Sequence, residues 1–184
     1  MDNKIQNIAK KYRLPAIVLH WVIAILIIAL FAIGLYMVEL PADVTPSVRK
    51  PWFELHKSLG VTVFLLLLIR VIWRMTHEPP ALPDFITQRQ QTFINILHKL
   101  FYVSMIMQPL SGYLSSSFSG YKTKLFGIPL PHWGWKNEEY NEIFTEVHEI
   151  SAIILFSFIV IHLAGIVVHK RAGNGKTIMQ RMLP

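Results

Sequence analysis

The segment from Phe144 to Lys170 constrains this chain most, because it is long, almost wholly apolar and carries three histidines. At about 1.5 Å per residue, about 20 apolar residues cross a ~30 Å hydrocarbon layer. His148 and His162 are 162 − 148 = 14 residues apart, which returns to within about 40° of one helix face and advances about 21 Å. Ionisable residues inside membrane spans are usually functional. We predict a transmembrane helix with two ligand sites, one above the other; the alternative is a pair of histidines hydrogen-bonded to neighbouring helices.

The whole chain is too apolar for an ordinary soluble domain. Of its 184 residues, 53% are hydrophobic, and the mean hydropathy is +0.41. Segments long enough to cross a bilayer lie at roughly residues 16–38, 55–75, 93–116 and 144–169. No large soluble insert separates them. We therefore predict a single domain, residues 1–184, folded as an all-α bundle of four transmembrane helices.

The chain contains no cysteine. This excludes disulfides, thiolate metal sites, iron–sulfur clusters and the covalent Cys-x-x-Cys-His attachment of c-type heme. Histidine pairs stacked along a membrane helix are typical heme ligands, so the prediction is two stacked b-type hemes, held without covalent bonds.

The formal net charge of +7 follows the membrane rather than indicating a nucleic-acid partner. If the N-terminus is cytoplasmic, the inner segments and helix ends carry 12 Lys/Arg and three acids, whereas the outer side carries six Lys/Arg and eight acids. The two sides then differ as +9 against −2. The positive-inside rule predicts a membrane protein with both termini in the cytoplasm.

A cleaved signal peptide is the alternative interpretation of the N-terminus, because Lys10, Lys11 and Arg13 precede an apolar run. The run is longer than the ~7–15 residues of a signal core and lacks a small-x-small cleavage site. We interpret it as the first membrane helix.

Histidines elsewhere supply candidate partners at matching depths. His20 lies near the inner end of the first span, at a depth close to that of His162. His56 lies at the outer boundary of the second span, level with His148. His98 lies near the inner end of the third span, so it is an alternative to His20 as the inner ligand. Depth alone does not choose between them.

Other polar residues near the inner end are candidates for supporting roles. Arg70 follows His56 by 70 − 56 = 14 residues and would reach the inner heme's level, where its guanidinium suits a propionate; the alternative is snorkelling to the cytoplasm, with Arg74 one turn further on. His169 follows His162 by 169 − 162 = 7 residues, on the same face. It suits a proton-carrying partner for a quinone; the alternative is an interfacial histidine. Arg74 is a further candidate for a quinone site.

The loops and the third span add further expectations. Three prolines predict an irregular loop from Glu39 to Glu54. Pro109 is expected to kink the third span and free a carbonyl. Gly112 and the nearby serines permit close approach of a neighbouring helix or a macrocycle, although ordinary small-residue packing explains them equally well.

The long outer loop from Ser119 to Glu142 is predicted to form a folded cap. Lys122 and Lys124 are its candidate anion-steering residues, together with Arg49, Lys50 and Lys57 from nearby outer segments. The alternative is that these cations are simply solvated. His132 in the same loop has no partner at matching depth.

Taken together, the pattern resembles the prokaryotic cytochrome b561 family, the small four-helix di-heme membrane cytochromes. The resemblance covers nearly the whole chain and rests on these pieces: LHW at His20, LHKSLG at His56, IRVIWR before EPPALP, HKL with PLSGYL, LFGIPLP, and VHE followed by IHL. It implies that His20 and His162 ligate the inner heme iron, and His56 and His148 the outer one. It also implies that His98 is not an axial ligand and that His169 matches a family histidine near a quinone.

The resemblance implies electron transfer in the bacterial inner membrane as the function. One branch of the family passes electrons from superoxide on the outer side to ubiquinone, whereas related members are cytochrome subunits of hydrogenases and similar complexes. This chain is short and has no extra span or ligand, which favours a stand-alone superoxide:ubiquinone oxidoreductase. The alternatives are an electron-relay subunit between quinone and a periplasmic protein, and a heme-free channel, which would be colourless.

Overall fold

The computed structural model describes residues 11–41, 43–173 and 175–183. The elements run in the order α1 (Leu14–Glu39), α2 (Pro46–Thr76), α3 (Gln88–Phe118), β1 (Lys124–Leu125), β2 (Ile128–Pro129), α4 (Glu138–Arg171) and α5 (Gly175–Gln180). Apart from the two-residue strands, the described residues form only helices and their connections. The predicted all-α class is confirmed.

Local sequence signals explain where the long helices begin. A proline lies in the first turn of α1 and of α2, where its fixed φ suits a helix and its missing N–H leaves no bond unmade. Thr87 and Gln90 form a capping box at the start of α3. Asn137 caps α4 by accepting from the Tyr140 N–H. Helix α4 also has acids in its first turn and bases in its last, as its dipole favours.

The prediction of an irregular loop from Glu39 to Glu54 is wrong in its second half, because α2 begins at Pro46 and continues through Pro51. Pro51 is close to the start of the helix, where one missing hydrogen bond is tolerated. Helices α3 and α4 also begin before the predicted spans, at Gln88 and Glu138. Polar residues can prolong a helix beyond the apolar segment, since the requirement for apolar side chains ends at the membrane surface.

Three helices, α1, α2 and α4, are long and apolar enough to cross a membrane. Helix α3 is not among them. Its buried side chains are Leu97 and four serines, Ser104, Ser111, Ser116 and Ser117. A helix that turns hydroxyl groups inward can interact with polar groups of its neighbours. The crossing predicted for residues 93–116 stays a prediction.

The helix packing leaves a space beside α4. Helix α4 packs on α3, and α2 packs on both α1 and α3. Within the described chain, no Cα atom of α1 or α2 lies within 8 Å of a Cα atom of α4. Helices in direct contact have axes about 8–10 Å apart, so some of their Cα atoms lie closer to each other than the axes do. Side chains bridge the space at its middle, where Ile23, Ile27, Val63 and Leu155 form a buried cluster.

The loop after α3 is anchored to α2 through Ser58. Strands β1 and β2 form an antiparallel hairpin whose two loop residues, Phe126 and Gly127, both have positive φ, at 49° and 94°. This is the backbone of a tight hairpin turn, and it is strained at Phe126. The Phe126 N–H donates to the Ser58 hydroxyl at 3.0 Å. That hydroxyl shares its proton between the carbonyls of Glu54 at 2.8 Å and Lys124 at 3.1 Å.

A Ser58→Ala substitution should therefore loosen the cap. It leaves the Phe126 N–H without its acceptor at a site where Ser58 is only 3% exposed, which costs about 1–3 kcal/mol. We expect a lower thermal midpoint in detergent and faster proteolysis between residues 119 and 137. Ser157→Ala is the matched control, since exposed Ser157 bonds only to the Ile153 carbonyl of its own helix. Equal effects of the two substitutions would contradict the anchoring role.

Candidate functional site

The outer pair, which we define as His56 of α2 and His148 of α4, spans the space beside α4. The two imidazole centroids are 6.3 Å apart with the rings at 78°. A metal ion binds imidazole nitrogen at about 2.0–2.1 Å, so two rings on opposite sides of one ion have centroids about 6 Å apart. The predicted pairing at this level is therefore also a spatial pairing, with a separation that suits one metal ion.

A hydrogen-bond network from α3 orients His148. Its Nδ1 lies 2.9 Å from the Gln108 carbonyl and 3.3 Å from the Ser111 hydroxyl. The Gln108 side-chain amide lies 3.1 Å from Nε2 of the same ring, and Ser151 donates to the other end of that amide. A carbonyl accepts from Nδ1–H only, so Nε2 carries the lone pair and accepts from the Gln108 side-chain amide. In that tautomer Nε2 could bind a metal, which would take the place of this amide.

His56 lacks such a network. Its Nδ1 is buried and has no hydrogen-bond partner. Gly34 of α1 lies beside the ring, and a Cβ there would be 3.5 Å from the His56 Cε1. A buried imidazole nitrogen without a partner is costly in an apolar environment. The asymmetry indicates a site that a further group completes.

The inner pair, His20 of α1 and His162 of α4, has ring centroids 6.5 Å apart. His98 of α3 is also near, with its centroid 6.2 Å from that of His162. The Nδ1 of His98 is 2.7 Å from the Ile94 carbonyl in its own helix. The structure thus brings both inner candidates to His162, and distance does not choose between them.

Neither pair is a complete metal centre by itself. The described part of the chain holds no group of three or more His, Cys, Asp or Glu residues that could bind a metal ion. Two facing imidazoles supply only two ligands. They suit a metal whose remaining ligands come from a planar macrocycle, and the separation of α4 from α1 and α2 leaves side chains rather than backbone around that plane. The residues present therefore fit heme at both levels.

The two pairs are separated by the apolar cluster of Ile23, Ile27, Val63 and Leu155. Leu155 lies midway between His148 and His162, since 155 − 148 = 7 and 162 − 155 = 7. Val63 likewise follows His56 by 63 − 56 = 7 residues. The layer keeps water away from the space between the two levels.

Arg70 lies at the level of the inner pair. Its Nη1 donates to the Ala16 carbonyl at 2.9 Å, and Ala16 is one helical turn before His20. Arg74 lies over the Tyr102 ring, 6.0 Å from its centroid. His169, half-buried, packs beside Phe85 with ring centroids 6.3 Å apart. The two predicted quinone residues, Arg74 and His169, thus contact different neighbours.

The predicted outer cations are not equally available. Lys122 and Lys50 are exposed. Lys124 forms an ion pair with Glu54 at 3.7 Å, Lys57 donates to the Ser116 hydroxyl at 2.7 Å, and Arg49 donates to the Pro41 carbonyl at 2.8 Å. His132 is exposed on the loop. Three of these five cations are therefore engaged by other groups of the protein.

The sequence did not single out Gln108, Ser111 or Ser151, which surround His148. A glutamine within a span predicted to cross the membrane is a signal in itself, because its amide needs partners there. Pro109 drew attention to this turn instead. The expectation of close approach at Gly112 is met by the His148 ring, as a Cβ on Gly112 would lie 2.9 Å from two of its atoms.

Comparison with known proteins gives one family and several relatives. The model of the family described as prokaryotic cytochrome b561 matches residues 11–184. Cytochrome b561 homolog 2 of Escherichia coli (strain K12) is 32% identical over 126 residues, which cover 66% of this chain and 63% of that relative. A protein of Yersinia pestis named probable superoxide oxidase CybB is 22% identical over 95% of this chain and 97% of its own length. Cytochrome b561 homolog 1 of E. coli (strain K12) is 23% identical over 71% of this chain and 74% of its own length.

Gly112→Ala should disturb the outer pair. The added methyl group overlaps a ring that Gln108 holds in place, and such overpacking typically costs about 1–3 kcal/mol. We expect a lower thermal midpoint and a shifted or weakened absorption band of bound heme. Gly60→Ala in α2 is the control, because a Cβ there meets nothing within 4 Å and alanine favours a helix by up to about 1 kcal/mol. An unchanged spectrum and midpoint in Gly112→Ala would show that the ring moves freely.

Proposed function

This chain belongs to the prokaryotic cytochrome b561 family, and from that membership we propose that it is a di-heme membrane oxidoreductase that passes electrons from superoxide to ubiquinone. Membrane electron transfer by a b-type cytochrome is the activity of the family. The number of hemes, the donor and the acceptor are our proposal. The observation that carries it is the presence of two histidine pairs, with ring centroids 6.3 Å and 6.5 Å apart, on the two sides of one apolar layer.

We assign the axial positions to the inner pair, His20 and His162, and to the outer pair, His56 and His148. Heme b supplies one-electron redox chemistry when it is bound. Two histidines at each level would hold one heme and would leave its iron without an open position, which suits outer-sphere electron transfer rather than oxygen binding. Helix α3 contributes the Gln108 carbonyl that fixes the His148 tautomer. We assign no iron to His98, whose Nδ1 lies 2.7 Å from the Ile94 carbonyl of its own helix. Its ring packs beside that of His162.

The two ends of the protein have different tasks. We place both termini in the cytoplasm, because Lys and Arg residues concentrate on that side of the sequence. Arg70 at the level of His20 is the proposed partner of a heme propionate, a role that suits its guanidinium. His169 lies two turns of α4 beyond His162, on the same face. It would pass a proton to ubiquinone when the quinone is reduced.

Superoxide is the proposed donor for two reasons. A relative that aligns over 95% of this chain is named a probable superoxide oxidase. On the opposite end from the termini, Lys122 is exposed and Lys124 is only partly so, and such charges raise the local concentration of a small anion. Oxidation of superoxide to dioxygen needs the loss of one electron and no bond to the metal.

A relay subunit is the second candidate function, and the exposed aromatic residues of the outer cap favour it. Tyr121, Trp133 and Trp135 are 74%, 77% and 65% exposed. Aromatic side chains are enriched at protein interfaces, although they also suit the membrane surface. A periplasmic redox protein that co-purifies in equal amount under mild detergent, together with failure of superoxide to reduce the isolated chain, would support this alternative.

The ligand assignment predicts the heme content of four variants. His148→Ala and His56→Ala should each lose the outer heme and retain the inner one, because removal of one axial ligand weakens binding at its own level. His162→Ala and His20→Ala should do the reverse. Pyridine hemochrome analysis counts the hemes, and redox titration identifies which one remains. His98→Ala is the control, expected to retain both hemes; loss of the inner heme in His98→Ala but not in His20→Ala would exchange the two assignments.

The donor assignment predicts the kinetics of reduction. After a superoxide pulse, stopped-flow absorption should show rapid heme reduction, followed by reoxidation that requires added ubiquinone. Lys122→Ala with Lys124→Ala should slow the first phase several-fold and weaken its dependence on salt. Glu54→Gln should accelerate it, because it releases Lys124 from its ion pair.

Arg171→Ala is the control for steering, as Arg171 is exposed at the opposite end of α4. A similar loss in Arg171→Ala would indicate a general charge effect. A protein that dithionite reduces but superoxide does not would exclude superoxide as the donor.

A further inference from the structure

At the end of the molecule that carries both termini, a half-open pocket of ≈ 190 Å³ lies among the start of α1, the last turns of α2 and the middle of α3. Three guanidinium groups line it, those of Arg13, Arg70 and Arg74. Aromatic rings of Tyr12 and Tyr102 lie beside them. The pocket thus combines a concentration of positive charge with apolar walls.

Few carboxylates of the described residues oppose this positive charge. Glu78 is the one acidic residue among those that line the pocket, and the one salt bridge seen in the described part of the chain joins Lys124 to Glu54. Arg70 donates one N–H to the Ala16 carbonyl, and Arg74 lies over the Tyr102 ring. No described residue accepts from the other N–H donors of Arg74, whereas those of Arg70 are assigned above to a heme propionate.

A fourth guanidinium adjoins the pocket. Arg181, only 4% exposed, donates from Nη2 to the Pro80 carbonyl at 2.7 Å and lies over the Tyr12 ring, 5.8 Å from its centroid. Pro80 and Tyr12 both line the pocket. The Nη1 of Arg181 is buried without a hydrogen-bond partner. A buried cationic donor left unpaired is costly, and Arg181 contacts two residues that line the pocket.

The C-terminal segment is fixed in this position by its backbone. The Tyr12 N–H donates to the Arg181 carbonyl at 3.1 Å, and the Trp21 indole donates to the Met182 carbonyl at 2.6 Å. These bonds join the tail to the start of α1. The backbone that carries Arg181 is therefore held in place by hydrogen bonds from Tyr12 and Trp21.

We propose that this pocket, with Arg181 beside it, binds the phosphate headgroup of an anionic phospholipid. Guanidinium forks match phosphate oxygens in pairs, and basic pockets between membrane helices bind such headgroups. The same helix ends expose apolar side chains for the acyl chains, including Leu14, Ile69 and Ile72. Ubiquinone is neutral and offers only carbonyl and methoxy oxygens, so it does not require the positive charge of Arg13, Arg74 and Arg181.

The test measures binding of fluorescently labelled phosphatidylglycerol to the full-length, heme-loaded protein in non-ionic detergent. Labelled phosphatidylcholine serves as the neutral probe. The anionic probe should bind more tightly, with an affinity that falls as salt rises. Arg74→Gln and Arg181→Gln should each weaken it about tenfold or more, since each removes charge-assisted hydrogen bonds. Arg89→Gln is the control, because Arg89 is exposed in the first turn of α3 and does not line the pocket.

Five results would overturn the proposal. Equal affinity for the two probes, or equal loss in Arg89→Gln, would mean that the pocket does not recognise the headgroup. Inorganic phosphate that competes as strongly as the lipid would indicate a site for free phosphate. Displacement of the probe by ubiquinone would identify a quinone site. A loss of bound heme in Arg74→Gln with unchanged lipid affinity would assign the pocket to a heme propionate.

Two further measurements separate binding from folding. Circular dichroism and the thermal midpoint report whether Arg181→Gln retains the fold. Arg181→Lys keeps the charge and loses the fork, so it should bind the probe with an affinity between those of the parent and Arg181→Gln. If Arg181→Gln unfolds, Arg74→Gln and Arg181→Lys decide the result by the same criteria.

Discussion

The approach of imidazoles to each other, across a space that the α1, α2 and α4 backbones leave between them, is the constraint on which the rest of this structure depends. Helix α4 contributes His148 and His162, and their partners come from α2 and α1, helices with no Cα atom within 8 Å of a Cα atom of α4. Four helices that packed directly against each other would close this space. Helix α3 instead packs on α4 from the other side, and the pairs remain about as far apart as two ligands of one metal ion require.

A seven-residue repeat makes this arrangement possible on two helices at once. Helix α4 repeats His148, Leu155 and His162, and α2 repeats His56, Val63 and Arg70. Two turns of helix are about seven residues, so each repeat returns to nearly the same face. Polar groups therefore occupy two levels, and the buried residues between them are apolar. This apolar layer separates the two levels of histidines and lowers the dielectric around both.

The two levels are supported differently. At the outer level, Gln108 and Ser111 of α3 engage His148, and the cap is fastened to α2 through Ser58. At the inner level, the C-terminal segment folds back onto the start of α1 and places Arg181 near the basic pocket. Rigid hydrogen bonding at one end and unpaired guanidinium groups at the other are consistent with different partners for the two ends.

The sequence by itself determined the membrane class, the b-type nature of any heme and the two levels of histidines, because length, hydropathy, absence of cysteine and helical periodicity are local properties. It predicted the beginnings of helices less well: α2 starts at Pro46 within a stretch whose prolines resemble a loop. Only the tertiary structure decided which partners His148 meets on α3, that His20 and His98 both reach His162, and that Arg181 is buried. These depend on how helices far apart in sequence pack, and helical periodicity fixes the face of a residue but not the neighbour that it meets.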